Sequence, residues 1–202
     1  MNAVADSPLA AAARYDRTTI VLHWVTALLV VVLWLSAQVI DVFPRGPARN
    51  NMRSVHMLLG VMLGAVLAWR LGWRLLAGVR LPAVGHAVLA RVARATHVLL
   101  YVLLVSEIVF GVCNAWVRGV SVFNLFTIPS FAPGDRALVQ RINGVHDWVA
   151  NTILVVAALH AVAGLVHHYV WKDDVLRRML PRRRTPNTAH RGSLGTSSAR
   201  HP

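Results

Sequence analysis

The sequence predicts an all-α integral membrane protein, a bundle of four transmembrane helices. Of its 202 residues, 14% are charged and 56% are hydrophobic, whereas an ordinary soluble domain has about 25% charged residues. The mean hydropathy is +0.53. The apolar residues form four runs, each long enough to cross a hydrocarbon core of about 30 Å as a helix. A single cysteine excludes a disulfide framework and Cys-based zinc or iron–sulfur sites.

The four predicted spans cover about residues 20–40, 55–77, 95–117 and 145–170. Their residues lack the polar–apolar alternation of a barrel strand, and a helix satisfies its own backbone hydrogen bonds in lipid. Loops rich in Pro, Gly, Asn and Arg connect the spans, including one over residues 118–143. The predicted membrane domain covers residues 14–181. Composition predicts a disordered N-terminus over 1–13 and a disordered basic tail over 182–202.

The positive charge predicts the orientation of the bundle. The formal net charge is +13. Fifteen Lys and Arg lie on the side of the two termini and six on the opposite side. Because the cytoplasmic side of a membrane protein carries the excess of Lys and Arg, both termini are expected in the cytoplasm. The basic tail then faces anionic lipid head groups, and no nucleic-acid partner is expected.

Histidines inside the spans are the most informative residues. Ionisable groups at membrane depth are costly, and they usually face the bundle interior with a partner. His23 and His160 lie 18 and 19 residues from an outer charged residue of their own spans, so they share an inner depth. His56 and His146 lie three and five residues from outer arginines. We therefore expect an inner pair, His23 with His160, and an outer pair, His56 with His146.

The spacing within span four indicates the ligand chemistry. His146 and His160 are 14 residues apart, so they lie on one helix face about 21 Å apart. Zinc needs three or four clustered protein ligands. A haem iron takes two axial ligands from opposite sides, which suits one His on each of two facing helices. Filled axial positions leave iron no site for O₂, which favours electron transfer.

Several segments resemble the prokaryotic cytochrome b561 family, whose domain is shared with the cytochrome b subunits of nickel–iron hydrogenases. The matching segments are RYDRTTIVLHW, FPRG, HDWVAN and ALHAVAGLVHHYVWKDDVLRRMLPRR. The resemblance implies a multi-pass protein of the bacterial inner membrane with two haem b groups. It also implies that His23 and His160 are axial ligands of the inner haem iron, and His56 and His146 of the outer one.

Other histidines compete for roles at the inner level. His97 opens span three near the inner face and is an alternative ligand to His23. His167 lies seven residues after His160 on nearly the same face, and counting from the inner charges favours it over His160. With His160 as the ligand, His167 or His168, together with Trp171, would lie near a haem propionate or a quinone. The alternative interpretation is an interfacial aromatic belt.

An outer group of arginines, Arg45, Arg49 and Arg53, runs against the charge bias. One interpretation is a solvated loop. The functional hypothesis is that these arginines raise the local anion concentration beside the outer haem and hold its propionates. An anionic electron donor such as superoxide would be attracted there.

Glu107 is an unexpected acid near the middle of span three. It is interpreted either as a neutral, hydrogen-bonded group with Ser106 or Asn114 as partners, or as a proton relay.

Three functions remain open from the sequence. The first is an oxidoreductase or electron carrier with two haem b groups, because similar family members pass electrons from superoxide on the periplasmic side to ubiquinone. The second is a cytochrome b subunit that passes electrons between a partner dehydrogenase and the quinone pool. The third is a haem-free, proton-coupled transporter. The expected partners are membrane lipid, a quinone, and superoxide or a redox protein, with a second copy of the chain as a further candidate.

Overall fold

The computed structural model describes residues 14–79, 81 and 87–180. The predicted disordered segments 1–13 and 182–202 lie outside the described residues. Four long helices dominate the described part. In chain order they are α1 (Arg17–Ile40), α2 (Pro47–Leu76), α3 (Ala87–Arg118) and α4 (Arg136–Tyr169). A small hairpin of β1 (Ser121–Val122) and β2 (Phe126–Thr127) separates α3 from α4, and a 3-10 turn, Arg177–Met179, follows α4.

The predicted fold class is confirmed, because all four helices are long and apolar enough to span a membrane. They contain 24, 30, 32 and 34 residues, which at about 1.5 Å per residue gives roughly 36 to 51 Å. This exceeds the hydrocarbon thickness of about 30 Å. The extra length lies mainly at the helix starts, because α2, α3 and α4 begin eight or nine residues before their predicted apolar spans. The apolar pattern marks the lipid-crossing part of a helix, not its ends.

The predicted loop over residues 118–143 is wrong in its bounds. Part of it forms the hairpin, in which Ser121 pairs with Thr127 and Val122 with Phe126. α4 then starts at residue 136, because the carboxylate of Asp135 accepts the backbone N–H of Leu138 and caps the helix.

The hairpin closes one end of the bundle, which we call the hairpin end. Its first strand lies against the start of α2, where Ser54 is 1% exposed. The Ser54 hydroxyl accepts the backbone N–H of Phe123 at 2.8 Å and donates to the carbonyl of Asn50 at 2.9 Å. Gly119 begins the connection with a φ of +65°, and a Cβ there would lie 3.0 Å from the backbone nitrogen of Ser130. A side chain at this position would be strained as well as crowded.

The opposite end carries residue 14 and residue 180, and we call it the terminal end. There Asp16 caps α1 by accepting the backbone N–H of Thr19 at 2.9 Å. It also accepts the indole N–H of Trp73, near the end of α2, at 2.9 Å. Burial opposes ionisation of Asp16, but the hydrogen bonds from Thr19, Trp73 and Val79 outweigh it and lower the pKa of the carboxyl from its ordinary value of 3.8.

The chain after α4 folds back over the terminal end. The indole N–H of Trp24 donates to the carbonyl of Met179 at 2.9 Å, and the backbone N–H of Tyr15 donates to the carbonyl of Arg178 at 3.3 Å. These bonds fasten the 3-10 turn to the beginning of α1.

The bundle consists of two helix pairs with a seam between them. α1 packs along α2 and α3 along α4, whereas α1 with α4, and α2 with α3, touch much less. One buried apolar cluster bridges the seam at mid-height. It comprises Leu29, Leu63, Leu67, Leu104, Val149 and Ile153. Large apolar side chains elsewhere on the helices face outward, as expected for surfaces solvated by lipid tails.

Candidate functional site

At the hairpin end, His56 of α2 faces His146 of α4 across the seam. Their ring centroids are 6.3 Å apart. Nδ1 of His56 lies 2.8 Å from the hydroxyl of Ser36, which donates its own proton to the carbonyl of Leu33. Because that hydroxyl is then left as an acceptor, Nδ1 of His56 carries the proton and Nε2 is the nitrogen left for a ligand.

The partner ring, His146, meets α3. Its Nδ1 lies 3.1 Å from Oε1 of Glu107, and both side chains are 16% exposed. A Cβ on Gly111, one turn after Glu107, would lie 3.4 Å from Cε1 of His146, so the glycine leaves room for the imidazole. Glu107 thus lies level with His146. Asn114, one of its predicted partners, instead bonds Asn143 and Arg118.

At the terminal end, His23 of α1 and His160 of α4 also have ring centroids 6.3 Å apart. His97 of α3 is a second neighbour of His160, with centroids 5.1 Å apart. A guanidinium nitrogen of Arg70 lies 3.0 Å from Nδ1 of His23, and Arg70 also stacks over the ring of Tyr101. The structure brings together both predicted pairs and the predicted competitor.

The two levels repeat along three of the four helices. His56 and Arg70 on α2 are 14 residues apart, as are His146 and His160 on α4, and Ser36 follows His23 on α1 by 13 residues. These spacings place polar groups about 20 Å apart along each of these helices. The buried apolar cluster occupies the layer between them.

The hairpin-end pair fits a haem. A metal–imidazole bond of about 2 Å on each side, plus about 1 Å from nitrogen to ring centre, puts two axial imidazoles about 6 Å apart. The observed 6.3 Å agrees with this distance. A Cβ on Gly60, one turn after His56, would meet no atom within 4 Å, and the same holds for Gly164, one turn after His160. Each level thus has open space one turn after one of its histidines, which a flat macrocycle held between the helices could use.

The terminal-end pair fits by distance but not by tautomer. Arg70 can only donate, so in this contact Nδ1 of His23 accepts and the ring proton of neutral His23 is on Nε2. Metal binding through Nε2 requires the ring proton to move to Nδ1, which breaks the hydrogen bond from Arg70 to Nδ1. His97 already has the suitable tautomer, since its Nδ1 lies 2.7 Å from the carbonyl of Ala93. Its ring is, however, about 1 Å too close to His160 for a metal between them.

A metal cluster of another kind is not formed by the described residues. Within residues 14–79, 81 and 87–180, no group of three or more His, Cys, Asp or Glu side chains is placed to hold one ion.

The remaining predicted residues of the inner edge lie beyond the terminal-end level. Nδ1 of His167 contacts the carboxylate of Asp173, and its ring packs edge-on against Trp171 at 4.5 Å. His168 packs similarly against Tyr169. The three predicted residues therefore gather where α4 ends, in a polar and aromatic cluster.

The predicted arginine group is divided by the structure. Arg49 donates to the carbonyl of Phe43 at 2.7 Å and pairs with Asp41 at 3.3 Å, so it braces the loop after α1. Arg45 is exposed. Arg53, together with Arg118, lines a cavity of about 320 Å³ at the hairpin end. Arg53 precedes His56 by about one turn of α2, so the cavity lies at the same end of the bundle as the hairpin-end pair, although neither histidine lines it.

The sequence interpretation missed the contacts of Arg70 with His23, of Ser36 with His56, and of Glu107 with His146. The signal that could have found Arg70 is its 14-residue spacing from His56, which equals the spacing of the two histidines on α4.

Four membrane-spanning helices with imidazoles paired across their seam are typical of membrane cytochromes, the class of haem proteins that carry electrons within a bilayer. The family described as Prokaryotic cytochrome b561 matches residues 14–182. The chain belongs to this family.

Three relatives align along nearly their whole lengths. The probable superoxide oxidase CybB of Yersinia pestis is 28% identical over 178 residues, which cover 85% of this chain and 98% of the relative. Cytochrome b561 homolog 1 of Escherichia coli (strain K12) is 29% identical, with 85% and 99% covered. Cytochrome b562 of Cereibacter sphaeroides is 29% identical, with 82% and 94% covered.

Family membership confirms several of the predictions. The protein is a multi-pass protein of the bacterial inner membrane, its family binds haem b, and its function is membrane electron transfer.

Proposed function

We propose that the protein binds two haem b groups and carries electrons from superoxide at the hairpin end to ubiquinone at the terminal end. The observation that carries this proposal is the equal 6.3 Å separation of two imidazole pairs at two levels of one seam. His56 and His146 would hold one haem, and His23 and His160 the other. The bound haems would supply one-electron acceptor and donor sites at the two levels.

The charge distribution supports the orientation. With the terminal end in the cytoplasm, 15 of 21 Lys and Arg lie on the cytoplasmic side. The hairpin end then faces the periplasm.

The cavity at the hairpin end suits an anionic donor. Arg53 and Arg118 contribute two positive charges to its lining, and such a concave basic site raises the local concentration of small anions. Each superoxide anion would lose one electron there and leave as O₂.

The acceptor would bind where α4 ends. Two electrons and two protons convert one ubiquinone to ubiquinol, so two superoxide anions are consumed per quinone. His167, His168 and Trp171 offer imidazole donors and an aromatic face to a quinone ring.

Haem content of purified variants tests the ligand assignment. Wild type should show a Soret band and two haems per chain. His56→Ala and His146→Ala should each lose the same haem, and His23→Ala and His160→Ala the other. His97→Ala is the matched control and should keep two. Loss of a haem in His97→Ala but not in His23→Ala would assign the terminal-end site to His97, and a colourless wild type would refute the proposal.

The reaction itself is tested with a superoxide source and a quinone analogue. Wild type should form quinol in proportion to the superoxide consumed, at one quinol per two superoxide anions. A protein with both haems that is reduced by other donors, but not by superoxide, would refute the proposed donor while keeping the haem assignment.

One observation favours the second candidate function, a cytochrome b subunit with a partner dehydrogenase. The tip of the hairpin exposes Leu125 at 84% and Phe126 at 60%, and exposed apolar side chains outside the helices can mark a protein contact. Co-purification of a dehydrogenase that is lost when both residues are changed to Ser would support this candidate over the first.

A further inference from the structure

Glu107 is the only glutamate in the sequence, and it lies inside a membrane helix. Acids at this depth are costly and need a reason to be there. Among the described side chains, Oε2 of Glu107 and Nδ1 of His146 are buried atoms with no aligned hydrogen-bond partner. A carboxyl group that served only to link helices would be expected to have both oxygens satisfied.

The two orphaned atoms belong to adjacent groups. Nδ1 of His146 lies 3.1 Å from Oε1 of Glu107, close enough for a hydrogen bond but not aligned as one, and the backbone carbonyl of Glu107 is a second acceptor near the same ring. A His ligand that binds a metal through Nε2 carries its proton on Nδ1, and this N–H is commonly donated to a carboxylate. Gly111 leaves the space for the ring on the same face of α3.

We propose that Glu107 is a positioning residue for His146 and gives the hairpin-end haem a lower reduction potential than the terminal-end haem. This inference rests on the proposed function, because it takes His146 as a haem ligand. An acceptor on Nδ1 fixes the ring and makes the imidazole more basic, which stabilises ferric over ferrous iron.

The terminal-end level has the opposite electrostatic character. Its charged neighbour is the half-buried guanidinium of Arg70, which lies 3.0 Å from Nδ1 of His23 in this structure and releases that nitrogen when Nε2 binds a metal. A nearby positive charge favours the ferrous form, whereas a carboxyl group that accepts the imidazole N–H favours the ferric form. The two groups together make electron transfer from the hairpin end to the terminal end downhill.

A redox titration of the purified protein with both haems bound tests the proposal, with Glu107→Gln as the variant. The potential of the hairpin-end haem should rise, so that at a fixed poise its oxidised-to-reduced ratio falls roughly tenfold, which is about 59 mV for one electron. The terminal-end haem should be unchanged. The low-spin ferric EPR signal of the hairpin-end haem should change in the same variant.

Asp147→Asn is the matched control. Asp147 is adjacent to His146 in sequence, but its carboxylate is exposed and accepts from the side-chain amide of Asn143 at 2.7 Å. Because water screens it and it does not contact the imidazole, the shift should be clearly smaller. An equal shift in both variants, or no shift in Glu107→Gln, would overturn the proposal.

If Glu107→Gln loses the haem, its potential cannot be measured, and a second variant, Glu107→Asp, which keeps a carboxyl group, then tests the proposal. Retention of the haem by Glu107→Asp but not by Glu107→Gln supports the proposal, whereas equal loss from both shows a packing role and overturns it. A wild-type protein without two haems would instead refute the proposed function.

Discussion

Replacing Asp16 by Ala should destabilise the terminal end of the bundle and loosen the haem bound there. Asp16 caps α1, and it also binds the indole of Trp73 on α2. His23 follows two turns later on α1, and Arg70 precedes Trp73 by one turn on α2. The Asp16 carboxylate therefore fixes the two helices that present the terminal-end site.

The expected cost follows from the contacts that are lost. Removal of an N-cap acceptor costs about 1 kcal/mol, and leaving the half-buried indole N–H unsatisfied adds about 1–2 kcal/mol. The sum of about 2–3 kcal/mol corresponds to a fall in Tm of roughly 5–10 °C for a domain of this size. Thermal unfolding in detergent, followed by the absorbance of the two haems, measures both the fall in Tm and the order in which the haems are released. The terminal-end haem should be released first.

The pH dependence separates the charge of Asp16 from its shape. Asp16→Asn keeps a hydrogen-bond acceptor, so it should lower the free energy of unfolding at neutral pH by less than Asp16→Ala does. Because the pKa of Asp16 is lowered by folding, ionised Asp16 contributes its full stability above the ordinary value of 3.8. This contribution is lost as the pH falls through the lowered pKa. The difference between wild type and Asp16→Asn should therefore disappear only in strong acid.

Asp41 provides the control at the other end of α1. Its carboxylate is 81% exposed and pairs only with Arg49 among the described side chains, so Asp41→Ala should cost at most about 1 kcal/mol. If Asp16→Ala and Asp41→Ala lower the Tm equally, or if the hairpin-end haem is lost first from Asp16→Ala, the reasoning is refuted.

Two further predictions concern the hairpin end. Gly111→Ala should keep both haems, because its Cβ would just touch His146, and it should raise helix stability by about 0.5–1 kcal/mol. Gly111→Leu should displace the His146 ring and lose the hairpin-end haem. Two haems with an unchanged spectrum in Gly111→Leu would contradict this prediction. Replacing Arg53 and Arg118 by Gln should slow reduction of the protein by superoxide several-fold at low salt and weaken the salt dependence of this rate. The control, Arg49→Gln, should affect stability but not this rate. Equal rates in stopped-flow measurements on all variants would exclude attraction of superoxide by the cavity.

The fold class could be predicted from the sequence because lipid imposes a simple pattern of long apolar runs. The helix ends could not, since a helix continues into the polar interface without any change in its backbone bonds. Asp135 and Pro47 mark two of the true starts. A capping residue in a polar loop is, however, a weak signal beside a span of 20 apolar residues.

The candidate site could be predicted in part for a related reason. Four histidines at two depths follow from helical rise alone, as the pairing of His56 with His146 illustrates. The neighbours of these rings depend on the rotation of each helix about its axis, which counting residues along the sequence does not define. The contact between Glu107 and His146 therefore emerges only when α3 and α4 are packed.

The apolar layer between the two levels has an electrical consequence. An electron that passes from one level to the other carries an uncompensated charge across about 21 Å of a hydrocarbon core about 30 Å thick. In the proposed orientation it moves toward the negative side of an energised membrane. Each 100 mV of membrane potential then opposes the transfer by about 1.6 kcal/mol. Turnover should consequently respond to the energetic state of the cell, fast in a depolarised membrane and restrained in a fully charged one.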